Sequence, residues 1–167
     1  MLRVAVIILT AVVYVTLLAG VAAPQAQASA SDLQVGVFFP NPVSPDEQLP
    51  TIGDLHQFES TIGRQADVFL WYESIGESFY ADTFRPMAQE GRIIQVAWEP
   101  HDFSLPATNQ PAYRLKKITA GYLDSDIRRW ARELRDFGYT IYFRHMCEMH
   151  GDWVTWGGTV NGNTPAD

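Results

Sequence analysis

The sequence predicts an α/β fold with a parallel sheet, and three observations carry that expectation. Apolar runs of strand length recur along residues 34–145, segments of helical periodicity follow them, and a glycine closes each helical segment.

The elements follow in order. Gln34 to Phe39 reads as a buried strand, stopped by Pro40-Asn41-Pro42. After the proline-rich loop Pro40 to Pro50, Ile52, Leu55, Phe58 and Ile62 recur at three- and four-residue intervals before Gly63, the pattern of an amphipathic helix with a glycine stop. Asp67 to Tyr72 is a second strand, and Phe79 to Glu90 a helix that Pro86 kinks or shortens and Gly91 ends. Arg92 to Trp98 is a third strand. A long loop through Pro100, Pro106 and Pro111 leads to a helix over Asp124 to Phe137. There Ile127, Trp130, Ala131 and Leu134 share one face while Arg128, Arg129, Glu133 and Arg135 face water. The fourth strand, Thr140 to His145, opens directly onto Met146 to Trp153.

Strand then helix, repeated, calls for parallel strands joined by crossover helices. Four such units make half of a (β/α)8 TIM barrel, whose usual length is ~250 residues. A complete doubly wound sheet is the alternative, but the first strand-to-helix loop lacks a glycine-rich phosphate cradle. The expected organisation is a signal peptide over residues 1–30 and, over 31–167, the N-terminal half of a catalytic barrel, truncated after its fourth unit.

The leader is read from Arg3, the apolar run Val4 to Leu18 and the small-residue stretch Ala26-Gln27-Ala28, the order of a cleavable secretory signal. An uncleaved membrane anchor is the competing reading, since Val4 to Ala23 approaches the ~20 helical residues that span a bilayer. Cleavage implies a secreted protein with no stable membrane partner. The chain carries a net charge of −7, and Arg3 is the sole charge in the leader, so the mature part is more acidic still. That balance, without a Lys or Arg run, argues against nucleic acid as a partner. One cysteine, Cys147, excludes an internal disulfide, so packing must hold the fold.

In parallel barrels the reactive groups stand where strands deliver their C-terminal ends to the loops. Here those places read Trp71-Tyr72-Glu73, Trp98-Glu99-Pro100-His101 and Glu148 with Trp153 and Trp156 beyond. Sugar rings stack their C–H faces on aromatic planes, and carboxyl groups donate protons to glycosidic oxygens. A carbohydrate is the substrate class this pattern suits.

The run Arg144-His145-Met146-Cys147-Glu148-Met149-His150-Gly151-Asp152-Trp153-Val154-Thr155-Trp156-Gly157 resembles the signature of glycoside hydrolase family 26. Trp98-Glu99-Pro100 resembles the end of that family's third strand, and Gly121-Tyr122-Leu123-Asp124 and Trp130-Ala131 match the helix between. The resemblance covers most of residues 34–165. It implies Glu148 as the catalytic acid/base, Trp98, Trp153 and His150 in substrate binding, no cofactor and no metal. It also implies hydrolysis of mannan or a related β-glycan, by a retaining mechanism that needs two carboxyl groups about 5–5.5 Å apart. Cys147 stands where the family usually has histidine, and His150 where it usually has asparagine. The family supplies its second glutamate from the seventh strand, and Glu73, Glu99, Asp102 and Asp152 do not match that position. This half alone is therefore expected to be inactive, and its open strand edges to make it marginally stable or self-associating.

Plainer readings stand beside these. Glu148 could be an ordinary surface acid, and Trp98 and Trp153 core residues; Trp71 and Trp156 read as packing. His145 and His150 bracket Glu148, but the spacing fits no zinc motif of the His-Glu type. Cys147 is either a nucleophile or a small apolar replacement for histidine. The rival function is a non-catalytic carbohydrate-binding half barrel.

Overall fold

The computed structural model describes residues 33–39 and 49–167. The leader expected over 1–30 and most of the loop from Pro40 lie outside the described residues. The sheet has four strands, β1 (Gly36–Phe38), β2 (Val68–Ser74), β3 (Ile93–Glu99) and β4 (Ile141–His145), hydrogen-bonded in the order β1-β2-β3-β4. All three pairings are parallel, with Gly36 opposite Val68, Val68 opposite Ile93 and Ala97 opposite Arg144. The protein is thus α/β, each strand lying beside its predecessor in sequence. No reversal of strand order, the mark of a doubly wound sheet, occurs among the described strands.

Crossover helices make parallel pairing possible. They are α1 (Ile52–Ile62), α2 (Ala81–Gln89) and, after a 3-10 turn at Pro111–Tyr113 and the short α3 (Leu115–Thr119), α4 (Asp124–Phe137). Local chemistry sets their ends. Thr51 caps α1 reciprocally with Asp54, and Gly63 ends it in the left-handed conformation at φ 71°. In α2, Pro86 is accommodated within a nine-residue helix whose buried face is Phe84, Met87 and Ala88.

The orientation of α4 differs from the expected stripe. Trp130 and Phe137 are buried, whereas Ile127 and Ala131 are exposed. Nor do Arg129 and Glu133 face water. Arg129 donates to the carbonyls of Ile75 (2.8 Å) and Glu77, and Glu133 accepts the backbone N–H of Phe79 at 2.9 Å. The loop between β2 and α2 leaves backbone groups unpaired, and these side chains satisfy them at the cost of their own hydration. Trp130 joins in, its indole donating to the Ile75 carbonyl at 3.1 Å.

Alternation along the strands divides the sheet into two faces. Phe69, Trp71, Ile94, Val96 and Trp98 pack towards Leu55, Phe84, Met87, Trp130 and Phe137 and form the core between sheet and helices. Each such large apolar side chain stabilises the fold by ~1.5–3 kcal/mol. At its base Arg92 pairs with Glu59 at 2.7 Å, both side chains largely shielded from water. The opposite face carries Phe38, Leu70, Tyr72, Glu99, Tyr142 and Arg144, and the turn that follows β4 rises from that side.

Candidate active site

The site is built on the exit from β4. Met146 and Glu148 both adopt positive φ, 46° and 56°, although an L side chain in that region costs roughly 1–2 kcal/mol. Surrounding bonds hold them there. The Met146 N–H reaches the Trp98 carbonyl at 3.3 Å, and the Gly151 N–H reaches the Glu148 carbonyl at 2.8 Å. Between them the Cys147 carbonyl accepts the Trp156 indole N–H at 2.8 Å. The following segment is strapped to the loop after β3 by Thr155, whose hydroxyl donates to the Pro100 carbonyl at 2.6 Å. Strain of this kind survives only where the surroundings over-determine it, which marks the turn as a candidate functional segment.

Glu148 emerges from this turn half-exposed. Its Oε2 accepts the Trp153 indole N–H at 2.9 Å, and its Oε1 lies 3.9 Å from the Arg144 guanidinium. Arg144 in turn lies 3.4 Å from the Tyr72 hydroxyl. Trp153 is 57% exposed, so a large part of this aromatic residue is open to solvent. Gly151 is what lets it lie there, because a Cβ at that position would come within 2.6 Å of indole Cε2. His150 meets the same ring edge-on, with centroids 6.2 Å apart.

A second carboxyl group belongs to the same site. Glu99, the last residue of β3, is buried and accepts a hydrogen bond from the Cys147 thiol at 3.3 Å. Burial pushes its pKa up to about 7; the thiol's bond opposes that rise and the Glu148 charge adds to it. Burial likewise pushes the Cys147 thiol up to about 11, with Glu99 contributing. At neutral pH Cys147 is therefore a protonated hydrogen-bond donor and not a thiolate nucleophile. Cys147 is buried against Val154 and Trp156, as the reading of a small apolar residue expects, and its sulfur makes a polar contact with Glu99 besides. The arrangement places a proton-holding buried carboxyl beside an exposed one, a pairing suited to proton transfer.

The residues singled out in sequence divide. Glu148, His150 and Trp153 share one turn. Trp98 is elsewhere: it is 5% exposed, its ring lies 5.8 Å from that of Trp130, and it fills the core face of β3 instead of standing beside Glu148. Alternation is the reason, since Glu99 on the site's face puts its neighbour Trp98 on the other. Trp71 and Trp156 are buried packing residues. His145 stacks on Phe143 and lies tilted against Trp98, with ring centroids 5.2 Å apart in the latter pair. Among the described residues no three His, Cys, Asp or Glu side chains converge as metal ligands would. The sequence brought Arg144, Tyr72 and Glu99 to the strand ends without giving them a role, and it did not show the Glu99–Cys147 contact, for which the strand register was the missing information. Glu73, one residue before the end of β2, faces the helices. Both its oxygens are sealed from solvent without a well-formed hydrogen bond, and burial pushes it up to about 9.

No family model matches the chain. It is similar to Endoglucanase H of Acetivibrio thermocellus, 27% identical over 111 residues, a stretch that covers 64% of this chain and 11% of that protein. The chain thus spans about a tenth of the length of this curated relative. The similarity is distant, and it supports a glycoside hydrolase in general without singling out family 26.

Proposed function

We propose that the chain carries the acid/base side of the active site of a secreted glycoside hydrolase of β-mannanase type, with Glu148 as the proton donor. One observation carries the reading: a half-exposed carboxyl group at the C-terminal end of a parallel strand is hydrogen-bonded to an exposed tryptophan indole. The distant similarity to an endoglucanase and the resemblance of Arg144 to Gly157 to the family 26 signature support the same class. So does the order of the four parallel strands, which is the order of half a (β/α)8 barrel.

In this mechanism a sugar ring stacks on Trp153, and protonated Glu148 gives its proton to the glycosidic oxygen as the bond to the anomeric carbon breaks. An ionised carboxylate on the other side of the ring attacks that carbon, and Glu148 then takes a proton from the water that releases the sugar. By the resemblance, the attacking carboxylate comes from outside the described residues. The Trp153–Glu148 bond fixes the proton donor relative to the stacking plane, so binding and proton transfer share one geometry.

A second reading, carbohydrate binding without cleavage, is favoured by the exposure of Trp153, which suffices to hold a sugar. The test uses the protein as its host produces it. Reducing-end release from mannan, mixed-linkage glucan and xylan is measured together with oligosaccharide binding, for wild type and Glu148→Gln. Release from mannan that Glu148→Gln lowers a thousandfold or more, with binding retained, supports the enzyme. Binding without release, lost in Trp153→Ala, supports the binder. Absence of both overturns the carbohydrate reading.

A further inference from the structure

The bond between Glu99 and Cys147 joins the end of β3 to the middle of the strained turn. Residue 147 is held twice, by its thiol on Glu99 and by its carbonyl under the Trp156 indole. Its neighbours on both sides, Met146 and Glu148, have positive φ. Releasing one anchor lets the peptide planes around residue 147 rotate, and Glu148 is the side chain that moves with them. We propose that Glu99 and Cys147 are positioning residues, a thiol–carboxyl clamp that aims the Glu148 carboxyl at Trp153 and at the bound sugar.

The inference rests on the reading of Glu148 as the acid/base, but the clamp itself is geometric. Glu99 is faced by Cys147 and Glu148 from the turn and by the Arg144 guanidinium from β4. When Glu99 loses its proton, its charge strengthens the bond from the thiol, repels Glu148 and attracts Arg144. The position of Glu148 therefore responds to the state of Glu99, and the Trp153 indole N–H, bonded to Glu148, reports it.

The test reads the indole N–H resonance of Trp153, assigned by Trp153→Phe, across pH in the full chain without substrate. Because the His150 ring lies against the same indole, the series is run in a His150→Gln background, where the resonance should show a step near pH 7, the value to which Glu99 is raised. Glu99→Gln keeps an acceptor for the thiol but does not titrate, so it should abolish the step while leaving the low-pH position unchanged. Cys147→Ala should displace the resonance at every pH, and Cys147→Ser, which restores a donor, should bring it back. A step that survives Glu99→Gln, or a resonance indifferent to Cys147→Ala, overturns the proposal. In the active protein Cys147→Ala should also lower kcat about tenfold with KM little changed. If the resonances behave as described but Glu148→Gln keeps full hydrolysis, the clamp stands and the catalytic reading falls.

Discussion

The indole N–H of Trp153 donates to Oε2 of Glu148 across 2.9 Å. On the function proposed above, the tryptophan on which a sugar stacks thereby holds the carboxyl group that protonates it. The two functions separate by mutation. Trp153→Phe keeps an aromatic face and removes the N–H, so it should lower kcat by about tenfold while oligosaccharide affinity changes little, in line with the loss of one hydrogen bond to a charged group. Trp153→Ala should abolish binding as well. Calorimetry and initial rates on both variants check this, and equal affinities for the two would count against a stacking role.

Gly151 is constrained by the same ring. Gly151→Ala should push the indole off its position and reproduce the binding loss of Trp153→Ala, because the added Cβ overlaps the ring. Gly158 has open space around it, and Gly158→Ala should bind as wild type does. Affinity measured on the pair decides the matter. Urea midpoints would show whether either variant loses the fold instead.

Stability should fall as pH rises from about 4.5 to about 9. Over that range the unfolded chain ionises Glu73 and Glu99, whereas the folded chain keeps their protons to about 9 and about 7 respectively. The stabilisation is thus complete below pH 4.5 and is lost as pH climbs through the folded values. Glu73→Gln imitates the protonated group. It should match wild type at pH 4 and be more stable at pH 9 by on the order of a few kcal/mol. Urea unfolding at the two pH values tests this, and a variant with the wild-type slope would sink it.

Among the described residues β4 pairs with β3 alone, and Tyr142 and Phe143 on it are each 44% exposed. An exposed strand edge with aromatic flanks promotes association between copies. Sedimentation of the isolated chain should show mass rising with concentration, and Tyr142→Lys should suppress that rise. A chain monomeric at all concentrations would refute the expectation.

What was legible in the sequence was the order of elements, because Val, Ile and aromatic runs, together with Gly63 and Gly138 as stops, report local backbone preference. Where a side chain pointed was less legible. Trp98 and Glu99 are adjacent on one strand and so face opposite ways, but only the pairing of Ala97 with Arg144 shows that Glu99 belongs to the site. The stripe on α4 misled for a related reason. Arg129 and Glu133 look like solvent residues by composition, yet loop carbonyls and an amide demanded them. Burial of Glu73 and Glu99 has no signature in a single chain, since it depends on what folds over them.

Two non-glycine residues at positive φ flank Cys147. A glycine at either place would relax the backbone by roughly 1–2 kcal/mol, so selection for durability alone would favour replacing them. At 148 that same replacement would delete the acid group itself. On the proposed function the turn therefore sets endurance against chemistry, and a sturdier relative with glycine at 148 would be a quiet one.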